Sequence, residues 1–236
     1  MNAEELTKTF SKILMTLGVI TVVVIACLIT IDAKKEYKID NLNINFVKEG
    51  NEMNLEQYQT TNPVVAMEIE NYGAIVIELY PEIAPNTVNN FISLVQKGFY
   101  DNNTFHRLMS GFVLQGGDPE GQGSGGPGYH IKGEFSDNGF KNDLKHTEGI
   151  VSMARSNSYD SAGSQFFIML GTATHLDGQY AAFGKVIDGM DNVKYIAANE
   201  SVANTQTGKL TKNLKITKAV VDLKGKSYPE VEKVTE

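Results

Sequence analysis

Apolar and polar positions divide this chain into unlike parts. Residues 13–31 form a run of 19 without a charge, dense in Val, Ile and Leu. As a helix, such a run spans about 28 Å, close to the roughly 30 Å hydrocarbon layer of a bilayer. It shows no polar face, which argues against a buried core helix. The expected organisation is a short segment 1–12, a single-pass anchor 13–31 and a polar linker 32–62. Within the linker, Leu42-Asn43-Ile44-Asn45-Phe46 alternates with period two and is a candidate short strand.

From Pro63 onward the pattern changes. Residues 65–70 and 74–79 read as strands, with Asn71-Tyr72-Gly73 as the hairpin turn. Pro85 suits the first turn of a helix. Val88, Phe91, Ile92 and Val95 then fall at i, i+3, i+4 and i+7, and Gly98 is a natural stop. Further strands are expected at 112–114, 150–153, 165–170, 182–187 and 214–223, and a second helix at 190–198. Many short strands with two helices predict a mainly β, closed or nearly closed antiparallel barrel over 63–223. Residues 224–236 read as a charged tail prone to fraying.

Composition narrows the function classes. The formal net charge is -7, so no basic footprint for nucleic acid exists. Cys27 is the only cysteine, so no intramolecular disulfide can form. Two other readings of the N-terminus stay open. A cleaved signal peptide carries a shorter apolar stretch, about 7–15 residues. Val24-Ile25-Ala26-Cys27 is similar to a lipoprotein processing site, which would lipidate Cys27, although Leu28-Ile29-Thr30-Ile31 continues the apolar run beyond it. Lys8 and Lys12 on one side and Lys34, Lys35 and Lys38 on the other leave the orientation undecided by charge. The domain is expected outside the cytoplasm.

The candidate chemistry is equally bounded. Gly121-Gln122-Gly123-Ser124-Gly125-Gly126 matches G-x-G-x-x-G literally, but Asp118-Pro119 precedes it and Pro127-Gly128 follows, so no helix opens there. His106, His130, His146 and His175 have no paired metal spacing, and no metal or other cofactor is expected. Ser164 has no evident base. Among 21 Lys and Arg, only Arg107 and Arg155 are Arg. Arg is a rigid, permanently charged fork of donors that Lys does not imitate. Both lie among apolar and amide-bearing residues, which suits a pocket that holds and polarises rather than one that cleaves.

Three segments, 105–118, 152–167 and His175-Leu176-Asp177-Gly178-Gln179-Tyr180 followed by Phe183-Gly184-Lys185-Val186, resemble the cyclophilin-type peptidyl-prolyl isomerases in order and spacing. The resemblance covers about 63–223. It implies an eight-stranded antiparallel barrel capped by two helices. It implies that Arg107 is the catalytic arginine and that Phe112, Val113, Phe167 and Leu176 line the proline pocket. Gln115 and Gln165 would hold the substrate backbone and the arginine. Gly123, Ala154, Arg155 and Ser156 would border the groove for residues before the proline. His175 and Tyr180 complete the expected substrate contacts.

The chain also departs from the best-known members. Val113 stands for Met, Arg155 for Asn, Ser156 for Ala, His175 for Trp and Tyr180 for His. These variants look like the bacterial branch, and the missing Trp argues against tight cyclosporin binding. The expected partners are unfolded or newly translocated proline-containing polypeptides, met by a monomer at a membrane. The alternative on the same fold is a non-catalytic proline-peptide-binding or chaperone module.

Overall fold

The computed structural model describes residues 53–234. The expected anchor 13–31, Cys27 and the candidate strand at 42–46 lie outside the described residues. Among the described residues, no helix is long and apolar enough to cross a membrane.

The chain forms β1 (Val64–Ile69), β2 (Gly73–Leu79), α1 (Pro85–Gln96), β3 (Thr104–Met109), β4 (Val113–Asp118), β5 (Ile150–Met153), β6 (Phe166–Met169), β7 (Ala182–Asp188), α2 (Met190–Asn199), β8 (Val202–Asn204) and β9 (Lys209–Asp222). Strand order is β1-β2-β7-β5-β6-β4-β3-β9-β8, and an extra β1–β9 pairing closes the sheet. Eight antiparallel strands therefore make the barrel, and β8 hangs on β9 as a hairpin arm outside the ring. Closure removes every free edge from those eight strands.

The expected strands and both helices are present. Two strands were not anticipated from the pattern, β3 and β8, nor was the first part of β9. The β3 segment Thr-Phe-His-Arg-Leu-Met mixes charge and apolar residues without clean alternation, for a reason that emerges at the site.

Alternate residues of each strand point inward and pack with α1. Phe91 of α1 is the hub, with ring centroids 5.1 Å from Tyr100, 5.3 Å from Phe166 and 5.0 Å from Phe183. All four rings are fully buried. Burial of each such side chain contributes roughly 1.5–3 kcal/mol. No local side chain caps α1. Glu134 does so from a distant loop, accepting the backbone N–H groups of Asn86 (3.0 Å) and Thr87 (2.8 Å). At the other end the Gly98 and Phe99 N–H groups return to Val95 and Leu94, the hydrogen-bond pattern of a Schellman stop.

Two segments differ from the sequence expectation. The last part of the expected linker packs on the barrel. Leu55 is buried with Val64, Ala66 and Val76 on the outside of β1 and β2, and the Tyr58 hydroxyl donates to Asp188 at 2.6 Å. This covering explains the unbroken apolar run Val64-Val65-Ala66-Met67, which is buried on both faces. The tail expected to fray also lies against the domain: Asn86 exchanges two hydrogen bonds of 2.8 Å with the Glu232 backbone. Charged side chains there hid a backbone that finds fixed partners.

Candidate active site

Strand register builds the site. Arg107 sits opposite Gln115, Gln115 opposite Phe167, and Phe167 opposite Ser152. Directly paired residues share a face, so these four cross β3, β4, β6 and β5 in one row. Two residues along each strand, Met109, Val113 and Met169 form the next row. Both rows face outward. The intervening Leu108, Leu114, Ile168 and Val151 belong to the barrel core.

A bulge turns Arg107 outward. Phe105 pairs with Gly116 and Arg107 with Gln115, so β3 carries one extra residue, His106. In a regular strand Phe105 and Arg107 would share a face. The extra residue leaves the Phe105 ring in the core and sends Arg107 outside.

Three contacts then hold the guanidinium. Nε donates to the Thr207 carbonyl at 2.8 Å, Nη1 donates to Gln115 Oε1 at 3.0 Å, and Nη2 meets the Met109 sulfur. Gln115 Nε2 donates to Gln165 Oε1 at 3.1 Å, and Gln165 Nε2 donates to the Gly125 carbonyl at 2.9 Å. Arg donates only, so it fixes the orientation of both amides in turn. Burial lowers the Arg107 pKa and nearby Tyr180 acts to raise it; the group stays charged near neutral pH. Thr207 lies in the β8–β9 turn, which the sequence reading did not connect with the site. Its neighbour Gly208 has φ +75°, and a Cβ there would lie 2.7 Å from the Leu108 carbonyl oxygen. Only glycine brings that turn close enough to reach Arg107.

Beside the guanidinium lies an apolar cluster separate from the barrel core. Val113, Phe167 and Leu176 are buried in it, and Phe112, Ala154, Tyr180 and Met109 pack against it. Every pocket residue expected from the sequence is thus brought together. His175 stacks on Phe112 at 5.8 Å and 25°. Tyr180 meets Phe167 edge-on at 5.8 Å. The sequence reading missed Ile150, Met169 and Ala173, which complete the buried floor. Period-two counting from Val113 and Phe167 would have found the first two once register was known.

Beneath Phe167, and parallel to its ring at 6.1 Å and 24°, lies His146. Its Nδ1 and backbone N–H face Asp177 Oδ1 at 3.0 and 2.9 Å, and its Nε2 faces Ser152 Oγ at 3.0 Å. A proton on Nδ1 serves the carboxylate, which leaves Nε2 to accept the Ser152 hydroxyl. Burial lowers the His146 pKa, and Asp177 only partly opposes it. Burial acts to raise Asp177, but hydrogen bonds from His146 outweigh this and hold the carboxyl below its usual range. The trio has the connectivity of a hydrolytic triad. Ser152 is nevertheless 0% exposed and His146 1%, so no substrate reaches the hydroxyl. It supports the pocket floor. Ser164 is equally closed off, donating to the Gly117 carbonyl at 2.7 Å.

On the other side of Gln115 and Gln165 a cleft of about 880 Å³ opens, bordered by Gly123, Ala154, Arg155 and Ser156. The glycine-rich loop wraps Asp118, whose carboxylate accepts the N–H groups of Glu120 (2.8 Å), Gln122 (3.0 Å) and Gly123. Burial would raise Asp118, but these backbone donors outweigh it and lower its pKa. Arg155 borders the cleft with most of its donors already taken. It spends them on the carbonyls of Gln179 and Ser156 and lies 4.9 Å from the Tyr159 ring centroid and 4.6 Å from that of Tyr180. It clamps the loop after β5 to the loop that carries Tyr180.

Comparison with known proteins agrees with this geometry. Residues 64–221 match the family model described as cyclophilin type peptidyl-prolyl cis-trans isomerase/CLD. The chain belongs to this family, and it is a peptidyl-prolyl cis-trans isomerase. It is 48% identical over 126 residues to peptidyl-prolyl cis-trans isomerase B of Bacillus subtilis (strain 168), covering 53% of this chain and 85% of that one. A peptidyl-prolyl cis-trans isomerase of Helicobacter pylori (strain ATCC 700392 / 26695) is 46% identical over 116 residues, 49% of this chain and 68% of the other. A crystal structure of a Cryptosporidium parvum cyclophilin type isomerase, solved in the presence of the dipeptide Ala-Pro, superposes with a TM-score of 0.60 at 33% identity. That match covers 67% of this chain and 98% of that one.

Proposed function

We propose that Arg107 is the group that accelerates prolyl rotation, and that the enzyme works from a membrane anchor on unfolded or newly translocated chains outside the cytoplasm. Rotation about a peptide bond costs about 18–20 kcal/mol because the C–N bond is partly double. Twisting breaks conjugation and returns the lone pair to the proline nitrogen, which then accepts a hydrogen bond that the planar imide accepts poorly. A donor aimed at that nitrogen is stronger in the twisted state than in either isomer, as catalysis requires. Phe112, Val113, Phe167 and Leu176 would bury the ring, while Gln115 and Gln165 would hold the carbonyl side. No nucleophile, proton transfer or cofactor enters the scheme.

The observation that carries this reading is a guanidinium fastened by Thr207 and Gln115 at the rim of an apolar cluster. The test is exchange NMR of an Ala-Pro peptide with the full chain. Arg107→Ala should lose about 100-fold in kcat/KM, the size of one removed transition-state donor; a variant matching the wild type would sink the mechanism.

Assignment to the bacterial branch rests on Val113, Arg155, Ser156, His175 and Tyr180. The anchor rests on the uncharged run 13–31. Membrane fractionation of cells making the full chain tests it, and fatty-acid labelling lost on Cys27→Ser would replace it with the lipoprotein alternative.

A further inference from the structure

The residues after β9 lie outside everything the isomerase reading uses, yet they reach its cleft. The path is fastened at several points. Tyr228 and Val231 pack against the barrel core. The Asn86 side chain donates to the Glu232 carbonyl and accepts the Glu232 N–H, both at 2.8 Å, so one amide pairs with the chain as a neighbouring strand would. Lys233 Nζ lies 4.3 Å from the Tyr129 ring centroid. The Val234 N–H then donates to the His130 carbonyl at 2.9 Å. These contacts bring Val234 into the wall of the cleft that holds Gln115, Ala154 and Gln165. Most of that wall is glycine, serine and amide; Val234 adds a branched aliphatic side chain, 39% exposed.

We infer that the C-terminal segment 226–234 is a built-in specificity wall, with Val234 limiting the size of the substrate side chain two residues before the proline. This rests on the proposed function together with the groove that the cyclophilin resemblance gives to residues before the proline, bordered by Gly123 and Ala154–Ser156. The ring is seated beside Phe167, and the cleft begins at Gln115 and Gln165, across the strand row from it. A preceding residue that turns into the cleft meets Val234. Small and medium apolar side chains fit against the wall, and large aromatic ones collide with it.

The experiment uses the full chain and peptides X-Ala-Pro-Ala with X as Ala, Leu or Trp. Exchange NMR gives kcat/KM for each, and shift titration gives each affinity independently of turnover. Val234→Ala should raise the Trp-to-Ala ratio by about threefold or more, a modest share of what one or two methyl groups contribute in an enclosed pocket. Asn86→Ala, which opens the amide clasp, and a chain ending after Gly225 should raise it in the same direction. An Ala peptide turned over at the wild-type rate in all three variants shows that the isomerase itself is intact. Ratios that stay fixed in all three, by rate and by affinity, overturn the wall while leaving the isomerase reading standing.

Discussion

The two faces of the same four strands use unlike physics. On the inner face of β3, β4, β6 and β5, Leu108, Leu114, Ile168 and Val151 belong to the apolar core cluster, where side chains of conserved volume substitute for one another at small cost. On the outer face, one residue along, Arg107, Gln115 and Gln165 form a directed series of donors and acceptors ending on a backbone carbonyl. Each member is set by its neighbour, and replacing one leaves the next without a partner. The barrel interior supplies stability without direction. The exterior supplies direction on a scaffold that is already stable.

Substitutions on each face should separate the two. The largest effect belongs inside: Phe91→Ala should cost about 3–5 kcal/mol in urea unfolding, with kcat/KM per folded molecule unchanged. Gly208→Val comes next. It forces a β-branched residue to positive φ against Leu108 and should cost about 1–3 kcal/mol. Because Thr207 moves with it, kcat should fall while KM holds, a combination no interior substitution would give. Gln115→Ala should lower kcat about tenfold, near 1.4 kcal/mol, with a smaller change in the urea midpoint.

The gentlest probe is pH. Burial lowers both His106 and His146 below their ordinary value, so the unfolded chain protonates first as acid is added. Stability should be full above about pH 6.5 and fall as pH drops through that value. Asp118 and Asp177 are also lowered, and their contribution, present above about pH 4, should be lost at still lower pH. His146→Gln should flatten the fall between neutral and mildly acidic pH, measured as urea midpoint against pH.

Much of the barrel was legible because its signals are local. The hairpin at 71–73, the spacing from Val88 to Val95 and the stop at Gly98 each act within a few residues. The candidate site residues came from motif resemblance, and the structure brings Phe112, Val113, Phe167, Leu176 and Tyr180 into one cluster. What escaped depends on distant partners. Glu134 caps a helix about fifty residues earlier in the chain. Leu55 and the segment after β9 looked like linker and tail because their anchoring lies in backbone hydrogen bonds and one or two apolar contacts. The resemblance placed Arg155 on the border of the groove for residues before the proline. The structure shows a further role beside this, a clamp: Arg155 borders the cleft and holds the Gln179 carbonyl while lying against Tyr159 and Tyr180.

His106 faces no residue across the β3–β4 ladder, yet the facing of everything after it depends on that omission. A β3 of the same composition, with all six residues in one unbroken ladder, would transpose each side chain beyond the histidine through the wall, driving the cationic fork among the phenyl rings and leaving the leucine in water. The enzyme's polarity therefore resides in which residue is skipped as much as in the identities of the rest.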